Sequence, residues 1–233
     1  MPQIYGIEHI IYLIITISMM VVATLLIKKY VHTEQQLTFV IKIIGGLLLV
    51  AILWNRWSVS YYRSGFNAFL PGSFCGASSL FFALSTLFLK KNQAPFHCLI
   101  YIGMLGGLIT IVYPDFIGQA DSVLYPPTIS GLLHHTIMFY LAVLMIITGY
   151  VKPNLKKWHY LPLGLSLYMT YGLFLVTVLG YGDAMLIYSP ILEGTPLNWI
   201  VCGAMMLCLH FLFLLGWNRY QRKIPLLLDL IIT

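Results

Sequence analysis

Seven stretches of this chain stay apolar for the length of a membrane crossing, and they constrain its fold more than any motif does. They run Ile10–Ile27, Leu37–Trp54, Leu70–Leu89, Cys98–Tyr113, Gly131–Tyr150, Leu161–Gly180 and Trp199–Trp217. A helix rises ~1.5 Å per residue, so roughly 20 apolar residues cross the hydrocarbon. Backbone hydrogen bonding in lipid allows only helices and closed barrels. A barrel would show short alternating segments, and the chain has none. Only 9% of the 233 residues are charged and 60% are hydrophobic, against about 25% charged residues in a soluble globule. The expectation is an all-α integral membrane protein, a single polytopic domain over residues 1–233 with a bundle of seven transmembrane helices.

Orientation follows from the loops. The first run has Glu8 and His9 before it and Lys28-Lys29 after it. A secretory signal has the reverse arrangement, so this run reads as a retained helix. Of the 13 Lys and Arg residues, all except Arg56 and Arg63, hence 13 − 2 = 11, fall in or beside alternate connections: Lys28, Lys29, Lys42, Lys90, Lys91, Lys152, Lys156, Lys157, Arg219, Arg222 and Lys223. By the positive-inside rule the N-terminus is outside and the C-terminus cytoplasmic. The net charge of +6 is then a matter of topology and anionic lipid, with no nucleic acid required. Gly103, Gly106 and Gly107 permit close helix contacts, within the bundle ahead of dimerisation. The tail after Pro225 is too short to span.

Chemistry gathers towards the outer ends. Pro71 and Gly72 interrupt the chain, and Cys75 then sits about one turn inside the third apolar segment. His134-His135 lies roughly four residues into the fifth. Ionisable groups within the membrane are costly and tend to face the bundle interior or a wet cavity. Successive helical residues point ~100° apart, so at most one of the two histidines aims at a given partner. A thiol becomes nucleophilic when a neighbouring base promotes the thiolate. Cys75 with His134 or His135 is therefore a Cys–His pair if the third and fifth helices touch, and two buried structural groups if they do not.

Arg56 and Arg63 lie on the side that normally avoids positive charge. They read either as snorkelling interfacial residues or as ligands for a phosphate or carboxylate. His9, His134, His135, Asp115 and Asp183 are all external candidates for a metal. No His-x-x-x-His or Glu-x-x-His spacing supports a closed site, so no metal is expected. The four cysteines, Cys75, Cys98, Cys202 and Cys208, lack Cys-x-x-Cys spacing and do not form a disulfide framework. His97, His159 and His210 lie towards the inner face.

Leu70-Pro71-x-x-x-Cys75, then Gly103-x-x-Gly106 leading to Tyr113-Pro114-Asp115, then a histidine early in the next helix, resembles the YwaF family of bacterial membrane proteins. That family is similar to the eukaryotic transmembrane protein 164, a cysteine-dependent acyltransferase that moves fatty acyl chains between phospholipids. The match covers roughly Leu70 to Trp199. It implies an acyl-enzyme mechanism with Cys75 as nucleophile, and His135, followed by Thr136, fits the family's histidine better than His134. Two departures stand out. Many relatives carry a histidine two residues before the cysteine, where this chain has Ser73. Their Asn-Tyr element before the last helix appears here as Asp183-Ala184, although Gly194 and Pro196 fit the segment that follows.

These readings lead to an expected lipid-active acyltransferase at the outer half of a bacterial cytoplasmic membrane. Cys75 and His135 would be catalytic, and Arg56, Arg63, Ser73, Tyr113, Asp115, His134 and Asp183 would line the substrate. Membrane lipids are the partners or ligands. No cofactor is implied, because acyl donors in that leaflet are already esters. The competing expectation is non-enzymatic: a small-ligand transporter, or a membrane subunit or scaffold for a partner protein. The oligomeric state is left open.

Overall fold

The structure, a computed structural model, describes residues 5–66, 69–114 and 122–220. Among the described residues there are seven α-helices: α1 (Ile7–Tyr30), α2 (Glu34–Val59), α3 (Phe74–Phe88), α4 (Phe96–Val112), α5 (Pro126–Ile147), α6 (Tyr160–Thr177) and α7 (Trp199–Tyr220). A π-helical turn, Ser60–Ser64, continues α2, and a short 3₁₀ turn, Leu155–Lys157, precedes α6. There is no β-strand among the described residues. Five of the helices, α1, α2, α5, α6 and α7, are long and apolar enough to cross a membrane. The other two fall short of that length, with 15 residues in α3 and 17 in α4.

The shortness of α3 has a local cause. The apolar run suggested a helix from Leu70, with Cys75 about one turn inside it. The helix instead begins at Phe74, so Cys75 occupies its first turn. Pro71 supplies no N–H and biases Leu70 away from helical backbone. Ser73 is extended (φ −94°, ψ 153°), and its side chain accepts the Gly76 N–H at 3.1 Å, a helix N-cap. At α5 the boundary moves the other way. The helix starts at Pro126 rather than near Gly131, with prolines at its first positions, where a missing N–H costs nothing. His135 is thus the tenth residue of α5 rather than about the fifth.

Helices α2, α3, α4 and α5 form the packed centre. Their shared core includes Leu48, Phe82, Ile100, Met138 and Leu141, all fully or almost fully buried. Small residues set the spacing. Gly103 and Gly107 face α5, where a Cβ on Gly107 would lie 2.9 Å from the His135 carbonyl oxygen and one on Gly103 would lie 3.1 Å from Met138. The Gly-x-x-x-Gly pair therefore packs inside the bundle.

α1 lies at the edge. It buries only His9, Thr16 and Ile27 and exposes Ile14, Ile17, Val21 and Leu25, an outward face suited to lipid. Polar ties hold it: His9 Nε2 to the Ile111 carbonyl at 2.9 Å and Tyr12 Oη to Thr136 Oγ1 at 2.6 Å. Of α7's described side chains only His210 and Leu214 are buried.

The basic connections gather at one end of the bundle. Lys91 pairs with Glu34 at 2.5 Å, and the Asn92 side-chain oxygen receives the Lys152 N–H at 3.2 Å and the Lys157 ammonium at 3.1 Å. Glu8 accepts the Val123 N–H, and Arg63 lies over the Tyr125 ring, at the opposite end.

Candidate functional site

The non-helical stretch ahead of Cys75 creates a problem of backbone chemistry. Carbonyls within an apolar bundle have neither water nor a helical partner, and each must be satisfied from inside the protein. Four consecutive carbonyls are met by four different groups. Phe69 O accepts from Arg56 Nε at 2.8 Å, and Leu70 O accepts from the Tyr181 hydroxyl at 3.0 Å. Pro71 O accepts from the Tyr171 hydroxyl at 3.1 Å, and Gly72 O accepts from the Met185 N–H at 2.7 Å. The donors come from α2, from α6 and from the segment that follows α6. Together they hold the turn that presents Cys75.

That following segment is itself unusual. Met185 and Leu186 both have left-handed backbone, φ 53° and 59°, a region that bulky L-residues rarely occupy. Ala184 and Met185 are nevertheless almost completely buried. Asp183 shapes the segment by accepting the N–H groups of Tyr188 and Ser189 at 3.0 and 3.2 Å. Asp183, Ala184 and Met185 thus form a strap across Gly72. Nothing in the sequence Ala184-Met-Leu announces such a conformation.

Cys75 packs against Gly106 of α4, where a Cβ would lie only 2.6 Å from the cysteine sulfur. Gly106 is six residues short of the end of α4, or ~9 Å from it. The thiol opens into a cavity of about 450 Å³ whose walls include Gly72, Cys75, Gly106, Thr110, His135 and the strap from Asp183 to Leu186. Cys202 and Met206 of α7 form its far wall. Cys75 of α3, Gly106 of α4 and His135 of α5 thus converge on one chamber.

The two histidines divide their roles. His134 Nδ1 is 3.0 Å from Ser79 Oγ, which joins α3 to α5 directly, and Ser79 also reaches Met138 Sδ at 3.2 Å. His135 Nδ1 lies 2.8 Å from the Gly131 carbonyl one turn back. A carbonyl only accepts, so Nδ1 carries the proton and Nε2 keeps its lone pair. The ring that lines the cavity is therefore in the tautomer of a proton acceptor.

The remaining sequence candidates are distributed as follows. Arg56 Nε, Ser73 Oγ, His134 Nδ1 and the Asp183 carboxylate are engaged by groups of the protein itself. Ser73 and Asp183 also line the cavity. Arg63 is exposed, with its guanidinium 5.6 Å from the centre of the Tyr125 ring. Tyr113 caps the end of α4 and is exposed. Asp115 lies outside the described residues. His9 uses both ring nitrogens, since Nδ1 accepts the Tyr5 N–H at 3.1 Å and Nε2 donates to Ile111 O. Among the described residues no three His, Cys, Asp or Glu side chains come together as a metal set. All four cysteines are free thiols. Cys202, which sequence reasoning passed over, shares the chamber with Cys75 and donates its S–H towards Leu197 O at 3.5 Å. Only its place one turn before Met206 on α7 could have pointed there.

A helical bundle with five membrane-length helices defines a multi-pass membrane protein, and Cys75 and His135 line one cavity within it. The chain belongs to the TMEM164 family, whose sequence model matches residues 4–217. That span runs from before α1 nearly to the end of α7. Comparison with curated proteins and with solved structures found no match.

Proposed function

We propose that this protein is a lipid-active acyltransferase in which Cys75 is the nucleophile and His135 the general base. The observation that carries the reading is the convergence of Cys75 and His135, the latter in its Nε2-acceptor tautomer, on one chamber. Family membership supports it. Nε2 of His135 takes the thiol proton as sulfur attacks the carbonyl carbon of a lipid ester. The tetrahedral intermediate collapses with loss of the alkoxide, which recovers that proton from the imidazolium, leaving a thioester on Cys75 and a lipid with one free hydroxyl. An acceptor hydroxyl or amine then gives its proton to His135 and attacks the thioester, and the departing sulfur is reprotonated.

In this reading all seven helices cross a bacterial cytoplasmic membrane, with the N-terminus outside and the chamber in the outer half. The gathering of lysines at the opposite end of the bundle supports that orientation. Arg63 and Tyr113, exposed near the outer connections, are the residues to meet a phosphate headgroup, and Asp115 belongs to the same connection. Arg56 acts instead by holding the turn before Cys75. The test is intact mass spectrometry of protein incubated with phospholipid. A hydroxylamine-sensitive acyl adduct on Cys75, absent from Cys75→Ala, is expected, together with altered lipid profiles in cells lacking the protein. Full turnover by Cys75→Ala would end the covalent reading.

A further inference from the structure

Helix α7 walls three separate cavities while burying almost none of its own length. One face of it, Cys202, Met206, His210 and Phe213, runs at the i, i+4, i+8, i+11 spacing of a single helical stripe. Cys202 and Met206 face the Cys75 chamber. Met206, His210 and Phe213 face a second cavity of about 410 Å³ between α4, α5 and α7. The two spaces share Leu105 and Met206 as wall, so the second adjoins the first along α7. Its sides are apolar, and the aromatic residues Tyr101, His210 and Phe213 line the part farthest from Cys202 along α7, here termed the floor. There the Tyr101 ring lies 4.2 Å from that of His210 and 5.6 Å from that of Phe213, centroid to centroid.

We propose that this α4–α7 groove binds the hydrocarbon tail of the acyl group being transferred, and that the Tyr101–His210–Phe213 floor sets its length; this rests on the acyl-transfer reading. Three observations select that occupant. The groove adjoins the chamber that holds the thiol, with Leu105 and Met206 common to both, so it is the neighbouring apolar space for the tail of an acyl group on Cys75. The walls along Met104, Leu108 and Val143 offer dispersion contacts and no hydrogen-bonding side chain before the floor. A helix of a partner protein, ~10 Å across, requires a trough open at both ends, whereas the tilted Tyr101–His210 pair and the edge-on Tyr101–Phe213 pair line the far part of this one. From Cys202 to Phe213 is eleven residues, or ~16 Å of helix. An extended carbon chain advances roughly 1.25 Å per bond, from a bond length of ~1.5 Å, so the groove takes on the order of a dozen carbons.

The test uses full-length Cys75→Ala protein in liposomes, where turnover plays no part. The probes are phosphatidylethanolamine and phosphatidylglycerol with a diazirine either at the chain terminus or near the carboxyl carbon. Terminal probes are expected to label Tyr101, His210 or Phe213, and carboxyl-proximal probes Leu105 or Met206. Labelling spread evenly over lipid-facing residues such as Ile14 and Val50, with no preference for the floor, would overturn the assignment. In the unmodified protein, Phe213→Ala should shift the preferred acyl chain longer and Met206→Trp shift it shorter. If Met206→Trp does not fold, Phe213→Ala decides. An unchanged chain-length profile in folded, active variants would refute the ruler. Floor labelling without any acyl–Cys75 adduct in the unmodified protein would instead keep the groove and remove the transferase.

Discussion

At the scale of single residues, the chemistry proposed above rests on one sulfur, one ring nitrogen and one missing methyl group. His135→Ala should lower turnover by about 10²–10⁴-fold through loss of the general base. His134→Ala should act mainly on stability, because its ring ties α5 to Ser79 of α3. Comparing turnover with melting temperature for the two variants separates these effects, and equal losses of turnover at unchanged stability would contradict the division of roles. Gly106→Ala places a carbon 2.6 Å from the Cys75 sulfur, so the thiol must move. A displacement near 1 Å can cost on the order of 10²-fold in rate. The expected result is a folded protein with strongly reduced turnover and altered thiol labelling at Cys75. Cys75 and His135 stood out in the sequence by residue type and by the family resemblance, but that both line one cavity depends on how α3, α4 and α5 pack. The purpose of Arg56 was not legible there, since the partner of its Nε is the Phe69 carbonyl, and a carbonyl has no sequence signature.

At the scale of elements, the entry to α3 is the feature that the four donors exist to support. Each of Tyr171→Phe and Tyr181→Phe leaves a part-buried carbonyl without its partner, at a cost towards the lower end of about 1–3 kcal/mol. Faster hydrogen exchange over residues 72–77 and reduced turnover should follow in both variants. Arg56→Gln should behave like the tyrosine variants, whereas Arg63→Gln should leave exchange unchanged and weaken lipid binding. If Arg56→Gln affects headgroup preference alone, its backbone tie is incidental. The helices themselves were readable from apolar length, but two boundaries were not. Leu70 to Ser73 is apolar enough to pass for helix, and only Pro71 with the Ser73 cap marks the break. Pro126-Pro127 carried a start signal for α5 that apolarity alone places several residues too late.

At the scale of the whole molecule, the lysine-bearing connections meet at one end and the chamber lies towards the other. A cysteine at Ser122 should react with an impermeant thiol reagent added outside intact cells, and one at Lys156 should not. The reverse pattern would move the chamber to the cytoplasmic half. The general arrangement was visible in the charge asymmetry. The close approach of α3 to α5 was not, because it depends on which faces of the helices meet, and several of these helices are apolar on every face. The four ties to the turn before Cys75 also impose an order of events. The cysteine leaves the ribosome early, but Tyr171, Tyr181 and Met185 follow roughly a hundred residues later. Until then the nascent chain carries the thiol without the turn that aims it, so on the proposed mechanism unfinished or clipped chains should be chemically silent towards the lipids around them. Two fragments divided between Lys152 and Lys156 should each fail to react at Cys75 with a lipid-like thiol probe, and should recover that reactivity when made together in one cell.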